Sequence, residues 1–365
     1  MTLPHWYYFQ FSLRQLLLAV TGLAIACSWL AADMASFRRQ LEATQKIDAI
    51  LHEGRGGRLL VQWTEDCPWW AFLQRKQEPK YYIETMAPTG PWDPAWLPLL
   101  RDMRSVRQLD LTANDIDDDD LIAVTNTGVK PEALRLGWCL NLTDRGFAKL
   151  GSMRCLKDLE LTTTQLSDAG TEGFHNMRAL ECLLLSGTKV GDAGLSNLAN
   201  LPNLRQLSLA GTGVTDAGLA SLTISRRLES LDLVKTAVTG EGLRHLCCTQ
   251  SLEEIMLGNT RIDDTTADCL LRFTALRELS LAYTAISDET VARLPTFRRL
   301  RYLDLSGTKI TDKAVDDIGR LPELETLYLF HTAITAKGVD KLRSLIPKAH
   351  LIQHFPAVGH AAGFR

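Results

Sequence analysis

Five aspartates crowd the six residues from Asp115 to Asp120, broken only by Ile116. Carboxylates at alternate positions are what a calcium loop offers, but such a loop also needs glycine at its sixth position and an acid at its twelfth. Asp120 and Asn126 stand there instead, so the run reads first as a solvated turn and helix start. His350 and His354 lie four apart, as two ligands on one helix face would, with His360 nearby; in a C-terminal tail, metal binding is the secondary reading. H-E-x-x-H, G-x-S-x-G and G-x-x-x-x-G-K-(S/T) do not occur, which closes three common routes to catalysis. Gly54, Gly56 and Gly57 make a G-x-G-G that precedes a predicted strand, Leu59–Trp63, where a phosphate cradle would follow one. The eight cysteines form no C-x-x-C, so zinc-knuckle and dithiol readings have no support. A net charge of −3 carries no basic excess for nucleic acid. The chain is therefore expected to be no enzyme and to hold no metal or cofactor, and recognition is the chemistry left to explain.

The elements that would position a recognition surface are written in a period. Threonine recurs every 24 residues at Thr164, Thr188, Thr212, Thr236, Thr260, Thr284, Thr308 and Thr332, in step with leucine columns headed by Leu156 and Leu161. A fixed period of this length means stacked repeats. The unit, cleanest from Leu204 to Leu222, is L-x-x-L-x-L-x-x-T-x-(I/V)-(S/T)-D-x-G-L-x-x-L. Its L-x-L alternates as a half-buried strand does, and its later apolar residues (Leu219 and Leu222, Leu243 and Leu246) sit at helical spacing. Ser/Thr-Asp pairs such as Thr215-Asp216 stand where a helix begins. A hydroxyl there accepts from the first-turn N–H groups, and the carboxylate complements the helix dipole. The threonine column is expected to satisfy the turn after the strand as a ladder from unit to neighbouring unit, not as a reactive array. Gly240 and Ala336 replace the usual aspartate, and Thr266, Thr290 and Ala314 the usual glycine; these departures bear on individual helix starts.

This pattern resembles the leucine-rich repeat family, in particular its cysteine-containing branch. Two earlier units carry that family's other residues at the threonine position: Asn114 after Leu109-Asp-Leu111, and Cys139 after Leu134-Arg-Leu136 with a spacing one residue longer. About ten units run from residue 106 to 345. The resemblance implies an α/β leucine-rich-repeat solenoid of strand–turn–helix units, with parallel strands on its concave face and helices on its convex one. It also implies a protein-binding scaffold. Repeat cysteines such as Cys155 and Cys182 read as small buried or half-buried apolar residues.

Strand residues between the leucines are free of core duty, so they are the candidate binding surface. Tyr302, Tyr328, Phe330 and His331 fall together on the last strands, with Tyr283 nearby, and aromatics dominate interface energetics. An acidic stripe of Glu229, Asp232, Glu253, Glu254 and Glu278, with Asp304 beyond it, would suit a basic partner. Shielding of the terminal core by the aromatics, and plain solvation of the acids, are the structural alternatives.

Ahead of the repeats, Leu16–Ala32 carries no charge, and Phe9–Leu13 lengthens it if Arg14 snorkels. Seventeen residues span roughly 26 Å against a ~30 Å hydrocarbon core. Trp6, Tyr7, Tyr8 and Phe9 at one end and Trp29 at the other fit an interfacial belt. Residues 9–32 are therefore expected to form a single-pass membrane anchor. A cleaved signal ending at Ala24-Ile25-Ala26 is the alternative. Phe11-Ser-Leu-Arg-Gln-Leu-Leu-Leu resembles the start of many bacterial membrane-anchored repeat proteins. Arg14 before the span against Arg38, Arg39 and Lys46 after it favours a cytoplasmic repeat domain; an exported domain is the opposite reading. The expected divisions are residues 1–33 for tail and anchor, 34–53 for a juxtamembrane amphipathic helix and 54–105 for a Trp/Pro-rich cap. The solenoid takes 106–345, and a C-terminal cap and tail 346–365.

Overall fold

A short strand followed by a short helix cannot bury its apolar face alone, so each unit must lean on the next. The computed structural model describes residues 42, 83–86, 97–102, 106–246 and 249–352. Their strands form one twelve-stranded sheet in chain order. The first six are β1 (Ile83–Met86), β2 (Val106–Asp110), β3 (Ala133–Arg135), β4 (Asp158–Glu160), β5 (Cys182–Leu184) and β6 (Gln206–Ser208). The rest are β7 (Ser230–Asp232), β8 (Glu254–Met256), β9 (Glu278–Ser280), β10 (Tyr302–Asp304), β11 (Thr326–Tyr328) and β12 (His350–Ile352). Every pair is parallel, and the register advances by one repeat: Leu159 faces Leu183, which faces Leu207. Residues that share a column in the sequence therefore meet in space. β1 and β12 extend the sheet one strand beyond the ten units at each end. At ~4.8 Å per strand the ladder is about 53 Å long.

On the other side of the core each unit returns through a short α-helix, a 3-10 turn or both, from Asp118–Asn126 to Ala336–Leu345. The helical segments thus cover one side of the core and the parallel sheet the other. Between the layers the leucine columns are fully buried, Leu156, Leu159 and Leu161 in one unit and Leu204, Leu207 and Leu209 in another, with Phe147, Phe174, Phe273 and Phe297 filling the wider gaps.

The threonine column acts differently from expectation. Each hydroxyl donates to the carbonyl three residues back in its own unit, as Thr164 to Leu161 at 2.8 Å and Thr212 to Leu209 at 2.6 Å. The unit-to-unit ladder is made instead by backbone N–H groups just past the strand, Leu161 to Leu184 O at 2.8 Å and Thr163 to Ser186 O at 2.7 Å. Only Cys139 reaches across among these column side chains, its thiol donating to Leu111 O at 3.1 Å. Burial pushes that thiol up to about 11, so it stays protonated and able to donate.

The helix-start aspartates form a second ladder. Asp192 accepts from Thr215 N (2.7 Å) and Thr215 Oγ1 (2.6 Å), the capping residue of the next unit. Asp216 does the same for Thr239, Asp288 for Thr311 and Asp312 for Thr335. The capped hydroxyl then accepts from its own first turn, as Thr239 does from Glu241 N. These carboxylates thus orient the next cap as well as complementing their own helix. Their approach favours the glycine that usually follows, since a Cβ at Gly194 would lie 2.5 Å from Asp168 Oδ1; Thr290 takes the same position by donating its hydroxyl to Asp264. Where Gly240 breaks the aspartate column, the other two positions change with it. The cap above is Asp263, which holds its own Thr265, and the glycine is Thr266. The helices Gly240–His245 and Ala336–Leu345 form all the same, capped by their own Thr239 and Thr335, which Asp216 and Asp312 of the units below hold.

The acidic run at residues 115–120 is spent in the same way. Asp117 and Asp120 close a capping box, Asp118 holds Thr143, and Asp119 pairs with Arg145, so these carboxylates are already engaged. No helix among the described residues is long and apolar enough to cross a membrane. The Leu16–Ala32 run, the amphipathic segment of residues 34–53 apart from Glu42, the strand expected at Leu59–Trp63, and His354 and His360 lie outside the described residues.

Candidate protein-binding face

Between the buried leucines, each strand turns two side chains to the open face of the sheet. Register sets them in two rows. One runs Glu254, Glu278, Tyr302, Thr326, His350 from β8 to β12, and the other Met256, Ser280, Asp304, Tyr328, Ile352. The aromatic candidates fall into two groups. Tyr302 and Tyr328 lie with ring centroids 5.4 Å apart, and Tyr328 meets Phe330 at 6.0 Å, all three half-buried. His331 instead pairs with Tyr283 at 6.3 Å, two levels away.

That second contact depends on the backbone. The residue three past each strand takes a left-handed conformation in every unit. It is Gly187, Gly211 or Gly307 in three units and a non-glycine in seven, including Trp138, Tyr283 and His331. Each non-glycine there costs roughly 1 kcal/mol or more. A Cβ on Gly307 would overlap the Tyr283 ring, so this glycine is what lets Tyr283 lean across one level to His331. The same column exposes Trp138 (57%) beside Leu140 (56%) at the longer turn of the Cys139 unit. Neither was expected as a surface feature. The left-handed column was legible only as glycines recurring at 187, 211 and 307.

The acidic stripe resolves into separate roles. Glu229 and Glu253 belong to a rim ladder of opposite charges, pairing with Arg205 at 2.5 Å and Arg277 at 3.0 Å. Further along the rim, Glu132 bridges Arg107 and Lys157; burial works to raise its carboxyl, and the two cations outweigh it and bring it low. Asp232 accepts from Ser208 Oγ at 2.9 Å and Val234 N at 3.0 Å, and Asp304 from Ser306 N at 2.9 Å. Glu254 and Glu278 face each other across β8 and β9 with no ion pair among the described residues. Burial, with Glu254 adding to it, raises the Glu278 carboxyl. Burial, then Asp304, Tyr328, Glu278 and Glu254, push the Tyr302 phenol far up, so it stays neutral. Cys182 lies half-buried on the same face at the start of β5, opposite Asp158; burial and Asp158 raise its thiol to about 12, which makes it a poor nucleophile.

The leucine columns buried behind this ladder are the feature that a known family model recognises in part of the chain. The Leucine Rich repeat family model matches residues 102–124, 200–222 and 298–319. No curated protein matches the sequence. Among solved structures, an internalin (inlF) from Listeria monocytogenes is similar, with a TM-score of 0.57 at 20% identity, over 79% of this chain and 94% of that one. Internalin C2 from the same organism is similar at 20% identity over 57% of this chain and 84% of that one, with a TM-score of 0.45. At such identity the likeness is one of fold. Stacked repeats of this kind present an extended, rigid surface along their sheet.

Proposed function

We propose that this protein is a membrane-tethered, non-catalytic scaffold that binds another protein through the sheet face of its repeats. The observation that carries this reading is the contiguous Tyr302–Tyr328–Phe330 cluster, held half-exposed on a sheet whose own stability lies in the leucine columns behind it. Aromatic anchors on a rigid backbone lose little entropy on binding and supply most of an interface's energy. The tether rests on the uncharged run Leu16–Ala32, and a cytoplasmic repeat domain on the excess of Arg38, Arg39 and Lys46 over Arg14.

The test pairs capture with topology. Tyr328→Ala with Phe330→Ala is expected to reduce capture of the bound protein from native extract at least about tenfold, the loss of two modest hot spots, while melting changes little. Undiminished capture removes the aromatic cluster from the binding face. Protease applied to intact cells and to inverted vesicles is expected to digest the repeats only in the vesicles. The reverse pattern would make the protein an exported recognition module, and recovery in the soluble fraction would remove the tether.

A further inference from the structure

Charge on the sheet face is distributed unlike charge in the rest of the chain. From β2 to β12 the two outward rows hold seven carboxylates (Asp110, Asp158, Glu160, Asp232, Glu254, Glu278, Asp304) and one arginine, Arg135. That arginine is taken up by Asp110 at 3.9 Å and Glu160 at 3.8 Å. The whole chain carries only −3, so the rest of the molecule is net positive and the sheet face alone is strongly negative. The rim beside it shows the contrast, because acids and cations are mixed there and pair from Arg107 to Glu325, even where two acids adjoin at Glu229 and Glu253. The outward rows leave their charge standing.

The negative field and the aromatic platform meet at one place. Register sets Glu254, Glu278 and Tyr302 in line on β8, β9 and β10, with the Tyr328 ring against Tyr302 from β11. Two carboxylates directly opposite on neighbouring strands repel each other, and among the described residues neither has a cation to relieve it. The adjacent ring faces are negative in their quadrupole and attract a cation laid over them. Tyr302 keeps its proton, so the ring stays amphipathic beside the acids. A lysine or arginine side chain could lay its stem on the rings and place its head between the carboxylates. An anionic lipid surface or a nucleic acid would be repelled by the same field.

We propose that the sheet face from β8 to β11 docks a basic segment of the partner protein, with one lysine or arginine seated between the Glu254 and Glu278 carboxylates and the Tyr302–Tyr328 rings. This deepens the protein-binding reading above and rests on it. The segment is short: four strands at ~4.8 Å present about 14 Å of face, which four or five extended residues would span.

The test measures fluorescence anisotropy of the full-length protein with a labelled dodecapeptide alternating lysine and serine, against its glutamate–serine counterpart. The lysine peptide is expected to bind, more weakly as salt rises, and the glutamate peptide not to bind. Glu254→Gln with Glu278→Gln, nearly isosteric and so still folded, should weaken it at least about tenfold. Tyr302→Leu with Tyr328→Leu should weaken it severalfold at unchanged salt dependence. Glu172→Gln with Glu289→Gln removes the same charge from the exposed helical side and should change nothing. Equal weakening by that control pair, equal binding of both peptides, or no binding of the lysine peptide would overturn the inference. If the lysine peptide fails while partner capture still falls with Tyr328→Ala and Phe330→Ala, the binding face stands and only its preference for basic segments is wrong. If capture is also unaffected, both fail together.

Discussion

Gly240, Asp263 and Thr266 depart from the repeat as a set, and that makes the aspartate ladder testable by an exchange. Restoring the usual residue at the first position alone, Gly240→Asp, should destabilise the protein. A Cβ there meets Thr266 Oγ1 at 2.7 Å and its Cα at 3.4 Å, and the new carboxylate would point at the cap above, which is itself the carboxylate of Asp263. Two such charges about 4 Å apart repel by up to ~4 kcal/mol at an effective dielectric constant of 20, before side chains relax. With the steric conflict, a loss of about 3 kcal/mol is expected, or a fall of roughly 6–12 °C in Tm for a repeat array of this size. The triple variant Gly240→Asp, Asp263→Thr, Thr266→Gly recreates the arrangement at Asp216, Thr239 and Gly242, where the carboxylate holds the cap's N–H and hydroxyl at 2.7 and 2.6 Å. It should regain that loss and end at or above the parent, since it also removes the buried, unbonded Thr266 hydroxyl. Urea unfolding gives the global value. Amide exchange at residue 263 reports the local one, which matters because a repeat array need not unfold in one step. A single variant as stable as the parent, or a triple variant no better than the single, would refute the argument that these three positions act as one unit.

Three further outcomes follow from buried and charged groups. Ser225 and Thr249 occupy a column filled elsewhere by Met153, Met177, Leu201, Phe273, Phe297 and Leu321, and the Thr249 hydroxyl is buried without a partner. Thr249→Val should therefore raise stability by about 1 kcal/mol in chemical denaturation. For Asp312, the hydroxyl and backbone N–H of Thr335 hold the carboxyl low; for Asp264, burial opposes the Ser287 and Thr290 bonds, which win. A depressed folded-state value stabilises above the ordinary carboxylate range and is lost as pH falls through it. Asp264→Asn with Asp312→Asn should then cost stability at pH 7 but little near pH 2, flattening the acid limb of the melting curve. Glu278 works in the opposite sense, because its raised value means the charged form is the less stable one in the fold. Glu278→Gln should add a few tenths of a kcal/mol at pH 7, a gain that disappears once acid protonates the parent.

What could be read from the sequence was whatever repeats within one unit. The leucine columns, the strand-to-helix switch and the capping hydroxyls each show in a single copy such as Leu204–Leu222, because they are set by periods of two and 3.6. The aspartate of each unit looked like a local dipole partner because its real acceptor role is filled 23 residues later, at the next cap. The threonine hydroxyl erred the other way, being assigned to a neighbour while it bonds three residues back. Among the candidate surface residues, sequence placed Tyr302, Tyr328 and Phe330 on adjacent levels, and the structure sets their rings in one chain of contacts. It could not show that His331 leaves that group for Tyr283, since the contact passes over Gly307 and spans two levels. Nor could it separate Glu253 from Glu254, adjacent in the chain, into a paired rim residue and an unpaired face residue.

That separation bears on what the face is for. A parallel sheet places identical positions in register at every level, so a charge that recurs in one column repels its own copies unless the signs alternate. Along the rim both signs occur, and where two acids adjoin, Glu229 pairs with Arg205 and Glu253 with Arg277; Arg205 also reaches Glu181, and Lys157 pairs with Glu132. One column inward the same solution was open to Glu254 and Glu278, where a single lysine or a neutral residue would have removed the repulsion. Asp232 and Asp304, one row over, are at least bound by Ser208 and by backbone N–H groups. Among the described residues Glu254 and Glu278 have no such relief beside them, and they stand next to the place where the Tyr302 and Tyr328 rings meet. Solvation alone accounts for either carboxylate singly. The uncompensated pair in register, against two half-exposed rings, is better accounted for by a cation that arrives with a partner.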